Sequence, residues 1–275
     1  MTVKASVVIA AHDEESVIVE TLRTVLSGIE PGALEVVVVC NGCTDRTADA
    51  ARTVPGVGVL EIETASKIEA LNAGDDGAVA FPRIYLDADV RLSGPAVLAL
   101  AEALDDDGPL AAGVQPRLDL SGSTLPVRWY YGFRQRLPVF EHGIIGAGVY
   151  AMNAAGRARF QRWPKVLGDD QFVLRSFPPS QRRLVSGHHS VVAAPRDLKT
   201  VVRRGVRVRR GNAQLSAGAA GEALTAPPAG VMAAVRSVLT VPSAWPGLLT
   251  WVTVTAWSRL RTALGGRGDW STSSQ

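Results

Sequence analysis

Short apolar runs alternate with segments of helical periodicity over residues 1–90. Ala5–Ala11, Leu34–Cys40 and Val57–Ile62 are predominantly apolar, and a fourth run, Arg83–Asp87, ends in a carboxylate. Such runs predict buried strands, because a strand of a parallel sheet is covered on both faces. Helical segments separate them, which predicts βαβ units around a parallel sheet.

Polar residues near the strand ends predict where the intervening helices begin. Asp13–Glu15 is expected in the first turn of a helix that continues to about Ser27, since acidic side chains favour a helix N-terminus. Thr44 or Asp45 is expected to cap the second helix. Lys67–Ala80 is expected to form the third.

The pattern changes after residue 90. It predicts strands at Leu110–Leu120, Val149–Met152, Arg183–Val185 and Ser190–Ala193. It also predicts helices at Pro95–Leu104 and Phe172–Phe177 and a basic helix at Leu198–Leu215. Residues 216–230 are rich in alanine, glycine and proline and predict a linker. We therefore expect one domain at 1–215, with halves at 1–90 and 91–215, followed by a C-terminal segment at 231–275.

The C-terminal segment carries an uncharged run at 237–258, which arginines flank. About 20 apolar residues can span a bilayer, but Pro242 and Pro246 interrupt this run. Its tryptophans suit a membrane interface, and they lie six residues apart, at Trp245, Trp251 and Trp257. Docking on a membrane surface, spanning a membrane and packing against protein all remain open.

Composition limits the alternatives. The chain has 275 residues, of which 47% are hydrophobic and 20% charged, so it can bury a full core. The N-terminus enters a strand directly, without the layout of a signal peptide, and predicts a cytoplasmic start. Cys40 and Cys43 cannot complete a usual zinc site without suitably spaced histidines. We interpret both as small residues in a tight loop.

The fourth predicted strand leads into two carboxylates, Asp87 and Asp89. Alternate residues of a strand point the same way, so both are expected at the sheet edge where open α/β folds bind ligands. Like charges this close favour a nearby cation, and Mg²⁺ is held by carboxylates together with phosphate oxygens. For an isolated Asp-x-Asp, an acidic turn is the simpler interpretation. The dinucleotide-binding and P-loop fingerprints are absent from the sequence.

Five motifs stand in order along the chain. They are Ala10-Ala11-His12-Asp13-Glu14-Glu15, Asn41-Gly42-Cys43-Thr44-Asp45, Lys67 with Ala70-Leu71-Asn72-Ala73-Gly74, Asp87-Ala88-Asp89, and Asp169-Asp170. In this order the sequence resembles the family 2 glycosyltransferases, from about residue 3 to residue 212. Those enzymes typically carry Asn-Glu-Glu at the first motif and an acidic loop at the second. The resemblance implies an α/β fold of the GT-A type, a mostly parallel nucleotide-binding sheet flanked by helices, here with a C-terminal helical, partly apolar extension.

The resemblance also implies a reaction. It is the metal-dependent transfer of a sugar from a nucleotide-diphosphate sugar to an acceptor hydroxyl, with inversion at the anomeric carbon. Residues 1–90 would bind the nucleotide and 91–215 the acceptor. The donor-binding positions carried over are Ala10, His12, Glu14, Asn41, Lys67 and Asp87. Asp89 would hold the divalent metal, Mg²⁺ or Mn²⁺, and Asp170, beside Asp169, would be the general base.

The basic helix supplies candidates for phosphate binding. Arg204 and Arg207 are assigned this role, with a solvated or lipid-facing surface as the alternative. Nucleic acid is not expected as a partner, because aromatic residues are not interleaved with the basic ones. His188 could supply a further metal ligand, although adjacent histidines such as His188 and His189 more often lie on a surface.

Other functions stay open at this stage. Departures from the family pattern at Asp13, Asn41 and Asp169 allow a degenerate member that serves as a membrane-associated binding or scaffold subunit. A sugar-nucleotide pyrophosphorylase would need a glycine-rich loop after the first strand, which this chain lacks. The acceptor could be a glycan, a lipid-linked molecule or a small molecule, and the enzyme could lie peripherally on the inner membrane face.

Overall fold

The computed structural model describes residues 3–104, 108–137, 148–217, 235, 236, 238 and 241–265. These residues build one mixed sheet of eight strands in the order β3-β2-β1-β4-β7-β6-β8-β5. The strands are β1 (Ala5–Ala11), β2 (Leu34–Asn41), β3 (Val57–Ile62), β4 (Arg83–Asp87), β5 (Val90–Arg91), β6 (Ala111–Asp119), β7 (Val149–Met152) and β8 (Arg182–Ala193). The helices are α1 (Ile18–Leu26), α2 (Thr47–Arg52), α3 (Lys67–Gly77), α4 (Gly94–Ala103), α5 (Leu125–Arg134), α6 (Ala154–Arg157), α7 (Asp169–Ser176), α8 (Leu198–Ala217) and α9 (Trp245–Leu264).

The four strands predicted for residues 1–90 are confirmed, and all four run parallel. In the register of the sheet, Ala10 lies between Val39 on β2 and Asp87 on β4. The carboxyl ends of β1, β2 and β4 therefore meet at one edge.

Two helix boundaries differ from the prediction. Helix α1 begins at Ile18, so Asp13–Glu15 lies in the preceding loop and not in a first turn. Asp13 there has a φ of +54°, and the left-handed region cannot start a right-handed helix. Helix α3 ends at Gly77, before the predicted end at Ala80.

The second half of the sheet is antiparallel in part. Strand β7 pairs antiparallel with β4 and β6, whereas β8 pairs parallel with β6. The two short strands predicted at 183–185 and 190–193 are one strand, β8. Its register with β6 is interrupted between Val185 and His189, where Gly187 has a φ of +78°. This interruption coincides with the residues that separate the two predicted strands.

The sheet separates two apolar cores. Alternating residues of β1, such as Val7 and Ile9, face the core formed with α1, α2 and α4, while Val8 faces the other side. The second core is aromatic. It includes Tyr85 and Tyr150, which are paired across β4 and β7 with ring centroids 5.1 Å apart.

A buried carboxylate, Asp75 of α3, ties the second core to its surroundings. It accepts hydrogen bonds from Arg83 Nη1 (2.8 Å), the Tyr85 hydroxyl (2.7 Å), Arg157 Nε (2.7 Å) and Trp163 Nε1 (2.8 Å). Two arginines and two neutral donors thus compensate the burial of this carboxylate.

The C-terminal apolar segment forms α9, which packs on α5 and α8. The helix begins only at Trp245, and Pro246 lies in its first turn, where the missing N–H has no helical partner to lose. Among the described residues, no helix has the length and apolar character needed to cross a bilayer. The predicted linker at 216–230 lies almost wholly outside the described residues, so the domain boundary there remains a prediction.

Candidate active site

The loops that follow β1 and β2 are held together by Asp13. Its carboxylate accepts hydrogen bonds from Thr44 N (2.6 Å), Thr44 Oγ1 (3.0 Å) and Asp45 N (3.3 Å). These bonds, led by that from the Thr44 amide, hold the pKa of Asp13 below its usual value. Aspartate and asparagine are the side chains that best tolerate a positive φ, which explains why Asp13 can replace asparagine here.

The base of the same junction is buried. Asn41, only 4% exposed, donates its side-chain amide to Ala11 O at 2.8 Å, and Nδ1 of His12 lies 2.6 Å from Asn41 O. Above it, Glu14 N donates to Thr47 Oγ1. The N-cap position of α2 is Arg46, but Asp45 Oδ1 accepts from the first backbone N–H of the helix, that of Thr47. His12 and Glu14 are thus fixed at the sheet edge beside Ala10.

Lys67, the first residue of α3, joins two acidic segments. Its Nζ lies 2.5 Å from Asp87 Oδ1 and 2.8 Å from Asp169 Oδ1. Burial opposes the charge on Lys67, but Asp169 and Asp87 outweigh it and raise the lysine pKa. One ammonium therefore links the end of β4 to the start of α7.

The adjacent carboxylates Asp169 and Asp170 differ in environment. Asp169 is 5% exposed, and its Oδ2 accepts the Tyr150 hydroxyl at 2.7 Å. Burial alone would raise the pKa of Asp169, but Lys67 and Tyr150 overcome it and lower the pKa. For Asp170, burial and the negative charge of Asp169 raise the pKa. One carboxylate is thus held ionised, and its neighbour is made more basic.

The loops after β1 and β2 and the carboxyl end of β4 lie within a match to a known family. The profile of glycosyl transferase family 2 matches residues 6–159, more than half of the chain. The chain belongs to glycosyl transferase family 2. No curated protein matches the sequence.

Solved structures share the fold. A mannosyltransferase from Pyrobaculum calidifontis, PcManGT, in complex with GDP-Man and Mn²⁺ has a TM-score of 0.59 and 22% identity, over 96% of this chain and 76% of that one. S. aureus TarS 1–349 in complex with UDP-GlcNAc gives 0.55 and 13%, over 76% and 67%. Glucosyl-3-phosphoglycerate synthase from Mycobacterium tuberculosis, with Mn²⁺, UDP and glucosyl-3-phosphoglycerate, gives 0.55 and 20%, over 77% and 78%. The predicted GT-A type of α/β fold is confirmed.

In this family 2 chain, the sequence-based expectation that Asp87 and Asp89 lie on one strand is wrong. Strand β4 ends at Asp87, and Asp89 lies in the following turn, just before Val90 pairs with β8. Asp89 reaches solvent, yet partial desolvation and the charge of Asp87 raise its pKa, against a lowering effect of Arg204. Asp87 and Asp89 are therefore close, but Asp87 is the last residue of β4 and Asp89 belongs to the turn before β5.

Glu14 completes an acidic cluster with these two residues. Burial, followed by the charges of Asp89 and Asp87, raises the pKa of Glu14 to about 7. The charges of Asp87 and Asp89 act on Glu14, and carboxylate oxygens of this kind suit a hard divalent cation.

The two basic candidates on α8 lie in different places. Arg204 is close enough to Asp89 to affect its pKa. Arg207 is exposed about one turn further along the helix.

The register of β8 separates His188 from Asp89. Val90, the residue after Asp89, pairs with Val192 in an antiparallel ladder. His188 is four residues before Val192, roughly 13 Å along an extended strand. The structure therefore does not bring His188 to the Asp89 carboxylate.

A different group of side chains lies close enough together to share a metal ion. Within the described part of the chain, His12, Asp13 and Cys43 are the only three His, Cys, Asp or Glu residues whose ligating atoms all lie within 4.8 Å of one another. Both carboxylate oxygens of Asp13 already accept hydrogen bonds from the 44–45 backbone and from the Thr44 hydroxyl. We therefore interpret this trio as part of the contact between the loops after β1 and β2, and not as a metal site. Both cysteines are free, and burial raises the pKa of Cys40 to about 12.

Sequence reasoning missed two residues of the site. Tyr150 reads as an ordinary core residue of β7, and only the folded structure shows its hydroxyl on Asp169. Gly148 has a φ of +83° and accepts a hydrogen bond from Asp87 N at 2.8 Å. A Cβ on Gly148 would lie 2.6 Å from Val90 Cγ2 and 3.1 Å from Asp87 Oδ2.

Proposed function

We propose that this protein transfers a sugar from a nucleotide-diphosphate sugar to an acceptor hydroxyl, with inversion at the anomeric carbon. One observation carries the proposal, the opposite pKa shifts of the neighbouring carboxylates Asp169 and Asp170. Neighbouring acidic groups with pKa values pushed apart are typical of divided catalytic roles. The family match supports a transferase over a pyrophosphorylase.

Asp170 is the proposed general base. Inversion requires a base that removes the acceptor proton on the face opposite the leaving diphosphate. A raised pKa makes the Asp170 carboxylate a stronger base near neutral pH. Asp169 stays ionised between Lys67 and Tyr150, and it acts as a positioning residue that maintains the charge beside Asp170.

The donor is proposed to lie along the edge formed by β1, β2 and β4. Ala10, His12 and Glu14 would face the base and ribose, and Asn41 would support that pocket from below. Lys67 would lie near the nucleotide, and Asp87 would contact the ribose or the sugar. The register that aligns Ala10 with Asp87 supports one continuous site.

A divalent metal is proposed to bind at the acidic cluster of Glu14, Asp87 and Asp89. Burial and then the charges of neighbouring carboxylates raise the pKa values of Glu14 and Asp89, and such an ion would relieve the repulsion between these charges. Asp89 is the proposed direct ligand. When bound, the metal would act as a Lewis acid and stabilise charge on the leaving diphosphate. Arg204, close to Asp89, would add a positive charge on the α8 side, with Arg207 as the second phosphate candidate.

The test combines donor binding with turnover. Thermal shift measurements with UDP-, GDP- and dTDP-sugars, each with Mg²⁺ or Mn²⁺, would identify the donor, because a bound ligand raises the melting temperature. Donor hydrolysis followed by NMR would then give the anomer of the released sugar, with inversion expected.

Asp170→Asn is expected to abolish turnover while it retains donor binding. Asp89→Ala is expected to remove the metal dependence of donor binding. Absence of binding and turnover with every donor would overturn the proposal. Donor binding without turnover in the unaltered protein would instead support a scaffold subunit.

A further inference from the structure

Helix α9 is apolar on two opposite faces. One face packs on the protein: Gly247 lies against α5, Trp251 contacts Phe133 with ring centroids 5.2 Å apart, and Val254 and Ser258 are buried against α8. The other face is exposed. It presents Leu249, Val252, Trp257, Leu260 and Leu264 to solvent. A helix on the surface of a globular protein normally has polar residues there.

This exposed face is bordered by positive charge. Neither α8 nor α9 contains an aspartate or glutamate, whereas together they contain eight basic residues: Lys199, Arg203, Arg204, Arg207, Arg209, Arg210, Arg259 and Arg261. Asp197, just before α8, accepts a hydrogen bond from Thr200 N at 2.8 Å and so serves the helix start.

A groove between α8 and α9 combines both features. It has a volume of about 270 Å³ and is lined by Leu198, Val202, Val254 and Trp257, together with the cations Lys199 and Arg261. The Arg261 guanidinium also lies over the Trp257 ring, 5.9 Å from its centroid. An apolar floor with cations beside it matches an amphiphile that carries an acyl chain and an anionic headgroup.

We propose that these residues form a surface that docks on a bilayer containing anionic lipids. The α9 surface comprises the exposed apolar side chains Leu249, Val252, Trp257, Leu260 and Leu264 with the basic Lys199, Arg203 and Arg261. The apolar side chains enter the interface between headgroups and acyl chains, and tryptophan suits that depth. The basic side chains interact with lipid phosphates.

Charge distinguishes the membrane from a second copy of the chain. In a symmetric dimer through this face, the same patch would meet itself. Basic residues of one copy would then face basic residues of the other, and such like-charge contacts oppose association. An anionic bilayer presents the complementary charge.

Helix α8 connects the α9 surface with the candidate active site. Val202 faces α9, where Ser258 donates a hydrogen bond to its carbonyl oxygen. Arg204, close to Asp89, is two residues further, or about 200° around the helix. The contact with α9 and the cation near Asp89 therefore lie on opposite sides of α8.

Sedimentation of the full chain with vesicles tests the apolar part of the surface. We expect binding to vesicles of phosphatidylcholine with phosphatidylglycerol, and little binding to phosphatidylcholine alone. Leu249→Glu places a charge at a side chain that is 66% exposed, and it is expected to weaken binding at least tenfold. Val79→Glu is the matched control, since Val79 is 79% exposed but lies between α3 and β4, outside the α9 surface.

The charged part is tested in the same way. Lys199→Gln with Arg261→Gln is expected to weaken binding to the anionic vesicles about fivefold for each charge removed. Lys4→Gln with Arg23→Gln removes two exposed charges elsewhere and should have no such effect beyond a small change from net charge. Added salt should weaken binding of the unaltered protein.

Three results would overturn the proposal. They are no binding to the anionic vesicles at low salt, equal binding by the Leu249→Glu and Val79→Glu proteins, and a dimer that Leu249→Glu converts to a monomer without any vesicle binding. The last result would identify the face as an interface between copies. Melting temperatures identify any variant that fails to fold, and Leu249→Gln with Leu260→Gln then replaces it.

Discussion

Tyr150 and Lys67 approach Asp169 through different carboxylate oxygens. The Tyr150 hydroxyl donates to Oδ2 at 2.7 Å, and Lys67 Nζ lies 2.8 Å from Oδ1. Since Tyr150 lies on β7 and Lys67 begins α3, the carboxylate is fixed from two elements of the fold. The position of Asp170, the next residue, depends on both contacts.

Tyr150→Phe should therefore reduce both stability and turnover. It leaves a buried carboxylate oxygen without its donor, which costs about 1–3 kcal/mol. We expect a lower melting temperature and a kcat reduced about tenfold, with little change in donor affinity. Asp169→Asn should lower the free energy of unfolding less in the Tyr150→Phe protein than in the unaltered one. Additive effects of the two changes on the free energy of unfolding would contradict the coupling.

The pKa of Glu14 predicts how stability depends on pH in metal-free protein. Burial and the nearby Asp89 and Asp87 raise the pKa from 4.5 to about 7 in the folded state. The folded protein then holds a proton that the unfolded chain releases, so this contribution is complete below pH 4.5 and is lost as pH rises through about 7. Solvent screening keeps the change below about 3 kcal/mol.

Glu14→Gln removes this dependence. The variant should be more stable than the unaltered protein at pH 8 without metal, and the difference should disappear near pH 5. Its melting temperature should also respond less to added Mn²⁺. Glu30→Gln, an exposed residue outside the cluster, is the control, and melting curves between pH 5 and 8 provide the measurement. Identical pH profiles for both variants would exclude a special role of Glu14.

Gly148→Ala should disturb the Asp87 end of β4. A methyl group there meets Val90 at 2.6 Å, in a backbone conformation with a φ of +83°, and we expect a loss of more than about 1 kcal/mol. Donor affinity should fall as Asp87 shifts. Gly122→Ala is the control, because its Cβ would meet no atom within 4 Å and its φ is not positive. Equal melting temperatures for the two variants would refute the proposed crowding.

Asp13 should accept asparagine but not alanine. Asparagine keeps a carbonyl acceptor for the Thr44 amide and tolerates the φ of +54°. Asp13→Asn should remain within about 0.5 kcal/mol of the unaltered protein. Asp13→Ala should lose about 1–3 kcal/mol, because the amides at 44 and 45 lose their acceptor. Chemical denaturation measures both, and similar losses would show that the side chain is not what holds the two loops.

The parallel half of the fold could be predicted because its strands follow one another in sequence and are buried on both faces. The position of Asp89 could not, because its backbone leaves β4 and joins β8, a partner about a hundred residues away. Strand alternation, used to place Asp87 and Asp89 together, holds only while the strand continues.

The Asp169-Asp170 pair was recognised by its position in the motif order. The difference between its two members depends on Tyr150 and Lys67, which come from β7 and α3. The sequence of a buried strand does not indicate which group the hydroxyl of its tyrosine will contact. His188 illustrates the converse, since its residue type suits a metal but the register of β8 separates it from Asp89.

The hydrogen bonds of Asp75 constrain how this protein could be recombined with its relatives. Asp75, Arg83 and Tyr85 precede residue 90, whereas Arg157 and Trp163 follow it. A chimera joined near residue 90 would separate this carboxylate from two of its four donors. Such hybrids should fold only when both parents carry a matching arginine and tryptophan, or when the junction is moved beyond residue 163.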